Sequence, residues 1–341
     1  MSDDQGLADH YSSGNLLASI EAGVDALGKT TSDVSVDDLA PVDEFHIGGR
    51  QATAQLCERM EIDAGAAVLD IGSGLGGTAR YLAATHGCRV TGLDLTPEYV
   101  EVARVLSDWT GLASNLAFEV GSALDMPFAD DTFDRATQLH VGMNIGDKAT
   151  LFSEVARVLR PGGRIGVYDI MQVADGDLTY PVPWATDAHM SFVASPRSYR
   201  EALEHAGLCV VDERNNAGIA LEFFDALLSR AAAAGGPPPL GLHLVMGSAA
   251  PVKIANMVDA VSAGILAPVE IIAEFPGGKI EVDHTSDLDT QLGPTDSGGL
   301  VVALAMWQRM VTLGPGKFGE VYYLGTAPMR GREPLLTNTV D

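Results

Sequence analysis

The stretch Val68-Leu69-Asp70-Ile71-Gly72-Ser73-Gly74-Leu75-Gly76-Gly77 constrains this chain more than any other. An apolar run ends near an acid, glycines follow in quick succession, and a helical pattern opens at Thr78. The pattern spells a strand that turns directly into a helix. Glycine there admits positive φ and lets a ligand come close to the main chain. The unpaired N–H groups of the following helix then face whatever occupies the turn. A nucleotide-type cofactor site is the expectation.

Gly72, Gly74 and Gly77 satisfy G-x-G-x-x-G, a pattern that also fits a nicotinamide or flavin site. Three further features separate the readings. Asp70 stands at the strand tip, where a carboxylate repels a pyrophosphate but attracts an ammonium group. A second strand, Cys88 to Leu93, delivers Asp94 about twenty residues on, where an acid can bind ribose hydroxyls. The segment Leu159-Arg160-Pro161-Gly162-Gly163-Arg164 breaks a helix and starts another strand.

In combination, VLDIGSGLGG, the acid after the second strand and the LRPGG turn resemble the class I S-adenosylmethionine-dependent methyltransferases. The resemblance runs from Asp43 to Glu274, and its core, Ala67 to Met171, is the most specific part. It implies S-adenosyl-L-methionine as cofactor and a Rossmann-like α/β fold with a mostly parallel sheet flanked by helices. The amino group of the cofactor then falls to Asp70. Its carboxylate falls to the turn at Gly72, Gly74 and Gly76, helped by Gly49 and Arg50. Asp94 would take the ribose hydroxyls, Leu95 would flank the adenine, and Ser122, Ala123 and Leu139 would complete the pocket. Ser122 stands where many family members carry Asp, so its hydroxyl has to replace a carboxylate. A nicotinamide-dependent oxidoreductase is the alternative from a different class.

The residues after the fourth strand, Gln138-Leu139-His140-Val141-Gly142-Met143-Asn144-Ile145, resemble the QHVxMNI pattern of the sarcosine/dimethylglycine N-methyltransferase-like group, with Leu139 replacing a Gln. The resemblance implies that His140 orients or deprotonates an acceptor and that Asn144 hydrogen-bonds it, with Met143 alongside. The loop Tyr180-Pro181-Val182-Pro183-Trp184 looks like an acceptor lid, in which Trp184 covers a cationic amine. Met190, Phe192 and the stretch 243–258 would close the pocket, and His243 reads as a core histidine. The expected acceptor is a small-molecule amine such as glycine, sarcosine or dimethylglycine. A hydroxyl or carbon of a natural product or quinone is the alternative.

The chain has 341 residues, enough for one large domain with additions. Its 21 Lys and Arg against 46 Asp and Glu leave a net charge of −25, which argues against phosphate-mediated nucleic-acid binding and against docking on anionic membranes. Cys57, Cys88 and Cys209 have no paired spacing, so neither a disulfide framework nor a metal site is expected. Met1 to Gln5 lacks the basic and apolar regions of a signal peptide, and no apolar run reads as a bilayer span, so a cytoplasmic location is expected.

Along the chain, residues 1–42 read as an acidic segment with one helix near Leu16–Leu27 and a polar linker at Thr30–Asp38. The methyltransferase domain spans 43–274, with the acceptor lid at 172–193. Strands are predicted at 66–71, 88–94, 116–120, 133–139, 163–170 and 208–211, alternating with helices, as in a parallel α/β sheet. Residues 275–341 read as an appended segment with no mechanism attached.

Overall fold

Alternating apolar strands and amphipathic helices close into one seven-stranded sheet in the computed structural model, which describes Gly6, Tyr11 and residues 14–276. The described residues fall within one compact unit. The expected appendage, 275–341, lies outside the described residues beyond Pro276.

Strands β1 (Ala67–Ile71), β2 (Arg89–Asp94), β3 (Leu116–Val120), β4 (Phe133–Leu139), β5 (Leu159–Gln172), β6 (Cys209–Asn215) and β7 (Leu266–Glu274) lie in the order β3-β2-β1-β4-β5-β7-β6. The first five pair in parallel, so their carboxyl ends share one edge, where ligands bind in such sheets. The seventh runs antiparallel between the fifth and sixth. It went unread in the sequence because it follows closely on a helical pattern and contains Pro268. Its signal is the near-continuous apolar run after Gly264, buried from Leu266 to Ala273.

Helices pack on both faces. The one from Pro97 to Trp109 starts with proline in its first turn and buries Tyr99, Val100, Val102, Ala103 and Leu106 at helical spacing. The Thr96 hydroxyl makes no capping bond; Asp94 accepts from the Thr96 N–H instead.

The N-terminal region departs from its reading as a separate segment and linker. Helices α1 (Leu16–Ala26) and α2 (Val36–Asp43) bury Leu16, Ile20, Val24, Leu39 and Val42 against Leu75, Tyr99 and Leu106. Within the expected linker, Val34 is buried and Ser35 with Asp38 forms a reciprocal capping box that starts α2. Few charged residues are needed on the inner face of so short a helix, so its acid-rich composition hid its burial.

Helix α3 (Gly49–Arg59) precedes β1, and α4 (Gly77–His86) follows the glycine turn. Helix α5 is the Pro97–Trp109 helix, α6 spans Lys148–Val158 and α7 Pro196–His205. Helices α8 (Ala217–Ala234) and α9 (Ala250–Ser262), with a turn of helix at His243–Met246 between them, sit over the carboxyl edge of the sheet. Contrary to the sequence reading, His243–Ser262 is long and apolar enough to cross a membrane by length and composition alone. In the fold the stretch is interrupted at Gly247, and it turns Met246 and Met257 into a crevice.

Candidate cofactor and acceptor crevice

The penultimate residue of strand β1 is Asp70, which is 2% exposed. One oxygen accepts from the Thr137 hydroxyl at 2.7 Å, and the other is buried with no partner. Burial pushes this carboxyl up to about 7, against the Thr137 bond that lowers it. An unpaired buried acceptor at a strand tip is a site waiting for a cation or donor. An ammonium group meets that need.

The turn then requires glycine for two different reasons. Gly72 has φ 65°, and a Cβ there would stand 2.3 Å from Val141 Cγ2, so the loop after β4 crosses tightly over it. Gly76 has φ 81°, and a Cβ there would strike the Phe118 ring at 2.8 Å. Gly76 therefore serves helix–sheet packing and does not line the crevice, a correction to its expected contact with the cofactor.

Asp94, at the end of β2, accepts from the Gly74 N–H and the Thr96 N–H, each at 2.8 Å. These bonds lock the glycine turn to β2. Each carboxylate oxygen retains a further lone pair for a ribose hydroxyl. Leu95, Ser122, Ala123 and Leu139 line the same crevice, and the Ser122 hydroxyl accepts from the Leu124 N–H at 3.3 Å.

Beyond β4, His140 adopts φ 56° with its ring stacked on Tyr168 at 5.6 Å. Its Nε2 is sealed and without a partner, and burial, with His46 nearby, holds its pKa well below the ordinary range. Asp169 builds this loop: it accepts from the Val141 and Gly142 N–H groups, the Gln138 amide and the Tyr199 hydroxyl. Lys148 Nζ donates to the carbonyls of Gly142 at 2.8 Å and Phe192 at 3.1 Å, tying the loop to the lid. Met143 and Asn144 line the crevice, where the Asn144 amide oxygen accepts from the Tyr11 hydroxyl at 3.2 Å.

Trp184 is 1% exposed, lines the crevice and donates its indole N–H to Ser191 at 3.0 Å. Three expected contacts lie elsewhere. Tyr180 packs into the apolar cluster under the lid and does not line the crevice. Gly49 gives its carbonyl to His46 and is likewise off the wall. Arg50 pairs with Glu44 at 2.6 Å and lies over the Tyr81 ring, so it has no reach to a cofactor carboxylate. Tyr11, His46 and the α8 side chains Phe223, Phe224 and Leu227 were missed, because no local motif marks residues brought in by tertiary packing, whereas Met246, Ile254 and Met257 fall in the stretch 243–258 expected to close the pocket.

The crevice encloses about 1530 Å³ of open space with its mouth included. Its floor near β1 and β2 is polar and acidic. Its roof is Phe223, Phe224, Leu227, Met246, Ile254 and Met257. Among the described residues, no Lys or Arg lines it.

The methyltransferase domain family matches residues 69–167. Methyltransferase GfsG of Streptomyces halstedii is 37% identical over 134 residues, 39% of this chain and 48% of that relative. O-methyltransferase resE of Aspergillus sclerotiorum is 30% identical over 197 residues, 58% of this chain and 70% of that relative. The chain thus spans about half the length of the first of these relatives and over two thirds of the second. The crystal structure of a putative sarcosine dimethylglycine methyltransferase from Galdieria sulphuraria has the same fold, with TM-score 0.55, 19% identity, and coverage of 75% of this chain and 98% of that one. The chain belongs to the class I S-adenosylmethionine-dependent methyltransferases.

Proposed function

We propose that this chain transfers the methyl group of S-adenosylmethionine to a hydroxyl of an apolar small molecule. The carrying observation is the roof: six apolar side chains over the carboxyl edge, with no cationic side chain on the wall among the described residues. Glycine, sarcosine or dimethylglycine, the acceptors expected from the sequence, would each bring a carboxylate into this cavity. A carboxylate without a partner in such surroundings is strongly disfavoured. A hydroxylated ring or polyketide-like acceptor suits the same walls, and the likeness to an O-methyltransferase supports this reading.

In this reading the donor supplies an activated methyl group, and the chain supplies grip, alignment and a dry cavity. Asp70 meets the ammonium, Asp94 the ribose hydroxyls, and Ser122 with Ala123 the adenine edge. His140, Met143, Asn144 and Trp184 bound the acceptor. Turnover of labelled S-adenosylmethionine against naphthols, hydroxylated polyketides, glycine and sarcosine tests the reading. Turnover is expected with the apolar hydroxyls; turnover with the amino acids alone would sink it.

The Asp70 carboxyl makes a second expectation measurable. Its folded-state pKa lies near 7, above the unfolded 3.8. Between these values the folded chain holds the extra proton, so this group's share of stability falls as pH rises from about 4 to 7. Asp70→Asn is therefore expected to raise the Tm of the ligand-free chain at pH 8. The same variant should weaken S-adenosylmethionine binding at pH 8, whereas wild-type binding should weaken as pH drops below about 7 and the carboxylate is neutralised. Calorimetry across pH 5.5–8.5 (about) reads both effects, and a pH-independent wild-type affinity would contradict the ammonium role.

A further inference from the structure

We propose that His46 is the general base of the crevice, taking the acceptor's hydroxyl proton at Nδ1, with Glu44 as its positioning residue. The proposal rests on the hydroxyl reading above. His46 lies on the wall of the crevice, 6% exposed. Its Nε2 stands 3.1 Å from the Gly49 carbonyl oxygen, which only accepts. The same nitrogen is 2.9 Å from Thr53 Oγ1 and 3.3 Å from Glu44 Oε2. Thr53 gives its own hydrogen to Glu44, so its oxygen is also an acceptor toward the ring. Three acceptors around Nε2 place the ring proton there and leave the lone pair on Nδ1. That nitrogen makes no hydrogen bond among the described residues and is not among the sealed polar atoms.

The carboxylate behind the ring does what a base needs. Glu44 is 3% exposed and anchored by Arg50 Nε at 2.6 Å. When His46 gains a proton, the new positive charge faces a fixed negative one through an existing Nε2 donor. A carboxylate that holds the tautomer and stabilises the imidazolium is the arrangement of hydrolase dyads and triads. His140 lacks it. Protonating His140 would leave a sealed Nε2–H with no acceptor, a costly state.

The charged and titratable groups around His46 are Glu44, Arg50, His140 and Tyr168. Burial sets the His46 pKa below 6.5, Glu44 opposes that shift, and Arg50 reinforces it. The ring is thus neutral and able to accept a proton at pH 7. In the step itself, the acceptor O–H bond breaks and the proton passes to Nδ1. The oxygen bonds the methyl carbon as the carbon–sulfur bond breaks, and that electron pair stays on sulfur. The proton then leaves His46 for water.

Two measurements on the full chain test this. Ring ¹⁵N NMR of the wild type at pH 7.5 (about, one unit above the ordinary histidine pKa) is expected to show His46 neutral with the proton on Nε2; a proton on Nδ1, or on both nitrogens, overturns the proposal. Kinetics then use 2-naphthol and a nitronaphthol, the latter already ionised near pH 8. His46→Gln is expected to lower kcat/KM for 2-naphthol by about 10²–10⁴-fold and for the nitronaphthol by less than about tenfold, since a base is needed only for the first. Equal losses, or none, overturn the base role. Glu44→Gln is expected to shift the acidic limb of the kcat/KM profile to lower pH, with Glu44→Asp restoring it; an unmoved limb assigns Glu44 to structure alone and overturns its part. Calorimetric S-adenosylmethionine affinity certifies that the variants are folded. Wild-type chain that methylates neither naphthol fails the hydroxyl reading, an outcome separate from the NMR result.

Discussion

Asp43→Ala is expected to lower the unfolding free energy by about 3–5 kcal/mol, the usual loss when one member of a buried ion pair is removed. Asp43 closes α2 and accepts from Arg80 Nη2 at 2.5 Å, and both side chains are fully buried. Arg80 rises from α4 and also donates to the Leu75 carbonyl at 2.6 Å, within the glycine turn. Without the carboxylate, a guanidinium stays charged in an apolar surrounding, because it does not release its proton. The double variant Asp43→Leu with Arg80→Met should recover most of the loss, since replacing both charges by apolar groups is often neutral. Urea unfolding with an unchanged m-value reads both quantities. A loss below about 1 kcal/mol in the single variant would show that the pair is hydrated and not the clamp described here.

Asp94→Ala is expected to weaken S-adenosylmethionine binding by about 1–3 kcal/mol, or roughly 5- to 150-fold, as charge-assisted bonds to the ribose disappear. The carboxylate has a second job, which makes the variant informative. It holds the N–H groups of Gly74 and Thr96, so its removal also strands two backbone donors and loosens the turn. Stability should fall along with affinity. Asp94→Asn keeps one acceptor oxygen and should recover part of the stability but little of the affinity. Unchanged affinity in calorimetry for Asp94→Ala would remove the ribose assignment.

The floor of the crevice was legible in the sequence because it is built from consecutive residues. A strand, a glycine turn and a helix follow each other without interruption from Ala67 to His86, and Asp94 ends the next strand along. Local rules suffice there: apolar runs, φ requirements and the common strand direction. The same rules failed where the reason for a residue lies across the fold. Gly76 looked like a ligand contact, yet Phe118, forty-two positions away, dictates its lack of a side chain. Arg50 looked like an anion binder until Glu44 claimed it. His46 carried no signal in the sequence, because its partners Thr53 and Glu44 become neighbours only when α3 folds beside it. The roof was legible only in part: the stretch 243–258 was expected to close the pocket, but Phe223, Phe224 and Leu227 are ordinary apolar residues until α8 folds over the sheet edge.

That division has an evolutionary consequence. In the proposed assignment the donor is gripped mainly by residues between Asp70 and Ala123, whereas the canopy above it comes from outside that span, from Tyr11 before it and residues 223–257 after it. Drift or recombination confined to the canopy can retarget such a catalyst to a new acceptor while its hold on the donor stays untouched.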